Sequence, residues 1–123
     1  MIDPIALSQD LIRCPSITPL NEGALEILEQ NLTHLGFACE RLDFEGIGNL
    51  YARKGSGYPH LCFAGHTDVV PLGDATLWTH APFQGEVKDG KLWGRGAADM
   101  KCAIAAFIGA IEDFVEKNSF QGT

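Results

Sequence analysis

"HLCFAGHTD", residues 60–68, is the stretch on which the fold reading turns. Leu61, Cys62, Phe63 and Ala64 form a continuous apolar run. Such a run is expected of a strand buried on both faces, with Cys62 serving as a small buried hydrophobe. A buried strand among helical segments predicts an α/β architecture, a mixed sheet flanked by helices. If the strand extends through His66, then Asp68, two positions on, faces the same side. Two readings are open for these residues taken alone. His66 and Asp68 could be solvated groups where a strand meets a turn, or they could be a metal-bound imidazole with a carboxylate that orients it.

Upstream of this stretch, Asp3-Pro4 reads as N-cap and first helical residue, opening a helix to about Arg13. "CPSITPLNEG" at 14–23 is a loop, with Asn21 or a neighbour capping the next helix. Ala24, Leu25, Leu28, Leu32 and Leu35 fall at helical spacing, and Gly36 ends that helix. Strands are expected in "FACERLDF" at 37–44 and "NLYARKG" at 49–55. Downstream, "EVKDGKLWG" at 86–94 predicts a hairpin turning at Asp89-Gly90. A last helix from about Met100 to Lys117 should bury Ile104, Phe107, Ile111, Phe114 and Val115 and leave Glu112 and Asp113 in solvent. The closing "NSFQGT" is turn-like where an α/β sheet would call for another strand.

The 123 residues suit one small domain, and a composition that is 46% apolar and 20% charged suits a globular core. The net charge of −7 and the lack of a basic stripe argue against nucleic-acid and anionic-membrane partners. No apolar run approaches membrane-spanning length, and the start lacks a basic secretory n-region, so a cytoplasmic setting is expected. The four cysteines, at 14, 39, 62 and 102, have neither zinc-finger nor CxxC spacing, and no disulfide framework is expected.

Asp99 follows the turn Gly94-Arg95-Gly96 and precedes the last helix. It is suited either to capping that helix or to presenting a carboxylate at a strand-to-helix junction, the edge where open α/β sheets place their sites. Arg95 and Lys101 are read as surface charge flanking the turn and the helix start. "GRGAAD" fits neither a P-loop nor a dinucleotide fingerprint. His34, His60 and His80 are assigned to no site. Ser16 and Ser56 lack the context of an activated nucleophile.

Taken together, "GHTDVVP", "WTHAPF" and "DGKLWGRGAADMK", with "RCPSITP" at 13–19 and "NLYARKG", resemble the M20 family of dinuclear zinc peptidases and deacylases. The resemblance runs the length of the chain, in order. It implies a catalytic domain into which a smaller dimerisation domain is inserted, residues 1–123 being the N-terminal portion of the former. It makes His66 a ligand of one zinc, Asp99 the carboxylate bridging two zincs, and Asp68 the catalytic carboxylate beside His66. Cobalt could substitute for zinc. The two oxygens of a bridging carboxylate can each bind one ion, and two such ions can activate one water. The family's Glu-Glu pair (one of them the general base), its further acidic ligand and its final histidine are expected beyond residue 123. Cys102 stands where glycine is usual and is expected to pack in the first turn of the helix. Within the family the closest likeness is to members that hydrolyse N-succinyl-LL-2,6-diaminopimelate on the route to lysine, as homodimers. Another deacylase of the family, such as an acetylornithine deacetylase, and a non-catalytic truncated module are the alternatives.

Overall fold

The computed structural model describes residues 1–119 and 121–123, so the "NSFQGT" segment lies partly outside the described residues. Helix α1, Pro4–Arg13, begins where the Asp3 carboxylate accepts from the Ile5 N–H, with proline at the first helical position. Helix α2 spans Ala24–His34. Gly23 occupies its N-cap position, while Asn21 caps from further back by accepting the Leu25 N–H at 2.8 Å. Its end is a Schellman turn. The Gly36 N–H reaches the Thr33 carbonyl at 2.9 Å and the Phe37 N–H the Leu32 carbonyl at 3.0 Å, with Gly36 at φ +82°.

The next four strands form two separate antiparallel ribbons. Strand β1, Ala38–Arg41, pairs with β2, Leu50–Arg53; β3, Glu86–Lys88, pairs with β4, Lys91–Trp93. Lys88 faces Lys91 across a two-residue turn whose Asp89 and Gly90 both have positive φ, +52° and +71°. The α/β class stands, but the described strands make two ribbons rather than one mixed sheet. Parallel pairing occurs at isolated points. Ile17 bridges to Val69, and Thr123 donates to the Pro59 carbonyl while accepting from Leu61, the slanted pattern of a parallel ladder.

Helix α3 spans Cys102–Lys117 and packs against α1, with Leu7, Leu11, Ala24, Leu28, Leu35, Ile104, Ala105 and Ile108 as the core. Gly109 lets α1 approach closely: a Cβ there would lie 2.8 Å from Pro4 Cγ. Ile108 is 2% exposed at the centre of this contact. Ile108→Ala is expected to cost about 2–5 kcal/mol, seen as a lower urea midpoint with an unchanged slope.

Four expectations are corrected. The strand expected at 60–65 does not form: among the described residues its ladder contact is limited to Leu61 with Thr123, Leu61 is 80% and Phe63 41% exposed, and Cys62 is exposed rather than buried. Their burial would need neighbouring strands that the described residues do not supply. The buried stripe of α3 is Ile104, Ala105, Ile108 and Glu112, rotated from the expected one. Phe107 instead stacks on Phe63 with centroids 4.0 Å apart, and Phe114 is half exposed. Glu112 is buried because its carboxylate accepts from the Ile2 N–H and pairs with the N-terminal ammonium. Lys101 is fully buried, and Arg95 lies over the Trp78 ring at 5.0 Å; neither is simple surface charge.

Candidate metal centre

His66 and Asp99, 33 positions apart in sequence, meet with Nε2 and Oδ1 3.0 Å apart. His66 comes from the irregular segment that leads to the Val69 bridge. Asp99 comes from a wide turn, Ala97–Lys101, between β4 and α3. Asp99 caps no helix. Its φ and ψ, −131° and 92°, are extended, and its side chain meets the imidazole. The turn sits tightly on the HTD segment because Gly96 has no side chain. A Cβ there would lie 2.5 Å from Val69 Cγ1, and φ is +80°. Lys101, two residues after Asp99, anchors the turn from below by donating from Nζ to the Cys14 carbonyl at 2.7 Å. Burial pushes its ammonium below the usual lysine range.

Asp68 closes the group. Its backbone carbonyl lies 3.0 Å from His66 Nδ1, and its Oδ1 3.4 Å from the same nitrogen. A carbonyl can only accept, so Nδ1 carries a proton. The Nε2 of a neutral His66 is then a lone pair facing a carboxylate oxygen. Two acceptors at this distance call for a cation between them, either a proton on Nε2 or a metal ion. The raised pKa of His66 expresses the first option. The Asp68 carbonyl is the main cause, the Asp99 hydrogen bond and both carboxylate charges add to it, and partial burial opposes.

The donor set, one imidazole nitrogen and one carboxylate, matches the ligand chemistry of zinc. Among the described residues no three His, Cys, Asp or Glu side chains converge tightly enough to hold an ion unaided. The site is open: the side chains of His66, Asp68 and Asp99 are 47%, 50% and 85% exposed.

The other histidines take structural roles. His80 stacks on Trp93 at 4.2 Å and bonds Glu86 at 2.7 Å, His60 stacks on Tyr58 at 4.6 Å, and His34 is the last residue of α2. Ser16 is buried with its hydroxyl on the Thr67 carbonyl at 2.8 Å. The four cysteines are free, and Cys102, half-buried, opens α3. One residue at the site was not singled out from the sequence. Thr18 Oγ1 donates to Asp68 Oδ2 at 2.6 Å. It lies in "RCPSITP", which counts towards the family resemblance and is otherwise a loop, with no role given to Thr18.

The profile of peptidase family M20/M25/M40 matches residues 62–123, which carry His66, Asp68 and Asp99. Among curated relatives, the succinyl-diaminopimelate desuccinylase of Rhodospirillum centenum is 59% identical over 94% of this chain and 31% of its own length. That of Caulobacter sp. strain K31 is 58% identical over 91% of this chain and 29% of its own length. The chain thus spans about three-tenths of the length of these relatives. Among solved structures, the M20 family metallo-carboxypeptidase Sso-CP2 from Sulfolobus solfataricus superposes with a TM-score of 0.83 at 26% identity, covering 96% of this chain and 28% of that one. Human carnosine dipeptidase 1 superposes with a TM-score of 0.77 at 26% identity, covering 94% and 30%. With its HTD segment and its Asp99 turn inside the matched region and its fold shared with these hydrolases, the chain belongs to the M20/M25/M40 peptidase family.

Proposed function

We propose that the full-length polypeptide to which these residues belong is a metal-dependent amide hydrolase that removes the succinyl group from N-succinyl-LL-2,6-diaminopimelate. It would serve lysine and diaminopimelate biosynthesis in the cytoplasm, as a homodimer. The observation that carries this reading is the 3.0 Å meeting of His66 Nε2 and Asp99 Oδ1 across 33 positions, in a chain more than half identical to desuccinylases. No helix among the described residues is long and apolar enough to cross a membrane.

His66 would hold one zinc through Nε2, and the two Asp99 oxygens would be shared between two ions. When bound, the metal pair supplies Lewis-acid polarisation of the scissile carbonyl and a water of lowered pKa. The chain's own residues set the conditions for this. The Asp68 carbonyl keeps the His66 proton on Nδ1, and the Asp68 carboxylate beside it makes the imidazole a stronger donor. The exposure of Asp99 leaves its second oxygen accessible.

Kinetics of the purified full-length protein on succinylated and acetylated substrates, together with metal analysis, test the proposal. Turnover of N-succinyl-LL-2,6-diaminopimelate with bound zinc is the expected result. A preference for N-acetylornithine would move the assignment to a different deacylase. A metal-free protein active on neither substrate would overturn it.

A further inference from the structure

The loop 14–19 contributes no ligand in the reading above, yet it holds the segments on both sides of the site. The Ser16 hydroxyl donates to the Thr67 carbonyl at 2.8 Å, and the Ser16 carbonyl accepts from the Val69 N–H at 2.9 Å. The Thr18 N–H donates to the Val69 carbonyl at 3.1 Å. From the other side, Lys101 bonds the Cys14 carbonyl at 2.7 Å. These bonds set the loop backbone against the HTD segment, and one more reaches a side chain of the site. Thr18 Oγ1 donates to Asp68 Oδ2 at 2.6 Å, while Asp68 Oδ1 lies 3.4 Å from His66 Nδ1.

We infer that Thr18 is a positioning residue for the metal centre, its hydroxyl fixing the Asp68 carboxylate so that the other oxygen is aimed at His66. The Asp68 side chain is 50% exposed, so packing alone does little to fix its rotamer. A short hydroxyl bond to an ionised carboxylate is charge-assisted and stronger than the competing contact of Thr18 Oγ1 with the Val69 carbonyl at 3.3 Å. The β-branch of threonine stiffens χ1, and the backbone bond to Val69 fixes its origin, so the hydroxyl arrives with little left to order. With Oδ2 held by Thr18, Oδ1 stays 3.4 Å from Nδ1, where its charge supports the tautomer that the Asp68 carbonyl sets, and Nε2 stays turned towards Asp99.

The inference rests on the reading of His66 as a metal ligand with Asp68 behind it, and the test separates the two. In the full-length enzyme, zinc affinity is measured by chelator competition, alongside kcat and KM, for Thr18→Val, Thr18→Ser, Asp68→Ala and the double variant Thr18→Val/Asp68→Ala. Thr18→Val is expected to weaken zinc binding about tenfold, the lower end for groups that orient a ligand. KM should stay unchanged, Thr18→Ser should restore the affinity, and Thr18→Val should cause no further loss once Asp68 is alanine. Additive losses in the double variant would make Thr18 a loop-holding residue only and overturn the inference. If Asp68→Ala weakens zinc binding and Thr18→Val does not, the inference falls while the reading of Asp68 survives. If Asp68→Ala leaves zinc affinity intact, that reading fails and the inference with it. Should Thr18→Val not fold, Thr18→Ser against Thr18→Ala decides, and equal zinc affinity in those two overturns the inference.

Discussion

Asp99→Ala in the full-length enzyme is expected to abolish amide hydrolysis, with a loss far beyond the ~10–100-fold that outer partners of a ligand typically cost. It removes the carboxylate that faces His66 Nε2 at 3.0 Å and that, in the proposed function, would serve both ions. Without that charge between them, two close cations repel each other and at least one should leave. The substitution should leave the fold alone, because the Asp99 side chain is 85% exposed and caps no helix. Asp68→Ala should be milder, weakening metal affinity by about 10–100-fold while leaving measurable turnover. Metal content by elemental analysis and kcat/KM on the succinylated substrate check both. An Asp99→Ala protein that keeps two zincs and near-normal turnover would refute the bridging assignment.

What could be read from the sequence is what local chemistry decides. Asp3-Pro4 starts α1, Asp89-Gly90 turns the second ribbon, and Gly36 closes α2. In each case the residue type and its backbone preference act within one turn of the chain. What could not be read depends on neighbours distant in sequence. Residues 102–111 of α3 are apolar almost all the way round, so helical period alone cannot choose which face meets α1. The choice is made by Pro4 against Gly109 and by the chain's own N-terminus reaching Glu112, which buries a carboxylate expected in solvent. Lys101 is a similar case. A lysine at a helix start looks like surface charge until the loop 14–19 folds over it and offers the Cys14 carbonyl. At the site, the resemblance named His66, Asp68 and Asp99, and all three are adjacent in space. The contact of Thr18 with Asp68 could not be read from the sequence because it is a bond spanning 50 positions.

Residues 1–123 expressed alone are expected neither to hydrolyse the substrate nor to hold two zincs. The reason lies first in ligand counting. A catalytic zinc takes three protein ligands and a water, whereas His66 and Asp99 offer two donors to one ion and one to the other. Among the described residues no third His, Cys, Asp or Glu completes the set, and no glutamate bonds to His66, Asp68 or Asp99 to serve as a base. A metal-bound water would therefore lack its proton acceptor. The second reason is exposed apolar surface. Tyr58, Leu61 and Phe63 are 87%, 80% and 41% exposed close together in the chain, and Phe114 on α3 is 50% exposed. Exposed apolar side chains grouped in this way favour association with another chain. The isolated chain should accordingly bind zinc weakly and self-associate. It should gain both solubility and metal affinity when the rest of the polypeptide is supplied in the same cell. Zinc titration, a desuccinylase assay and light scattering on the purified residues 1–123 test this together. A monodisperse monomer carrying two zincs and turning over N-succinyl-LL-2,6-diaminopimelate would show that the ligand count is wrong and that the site is complete within these residues.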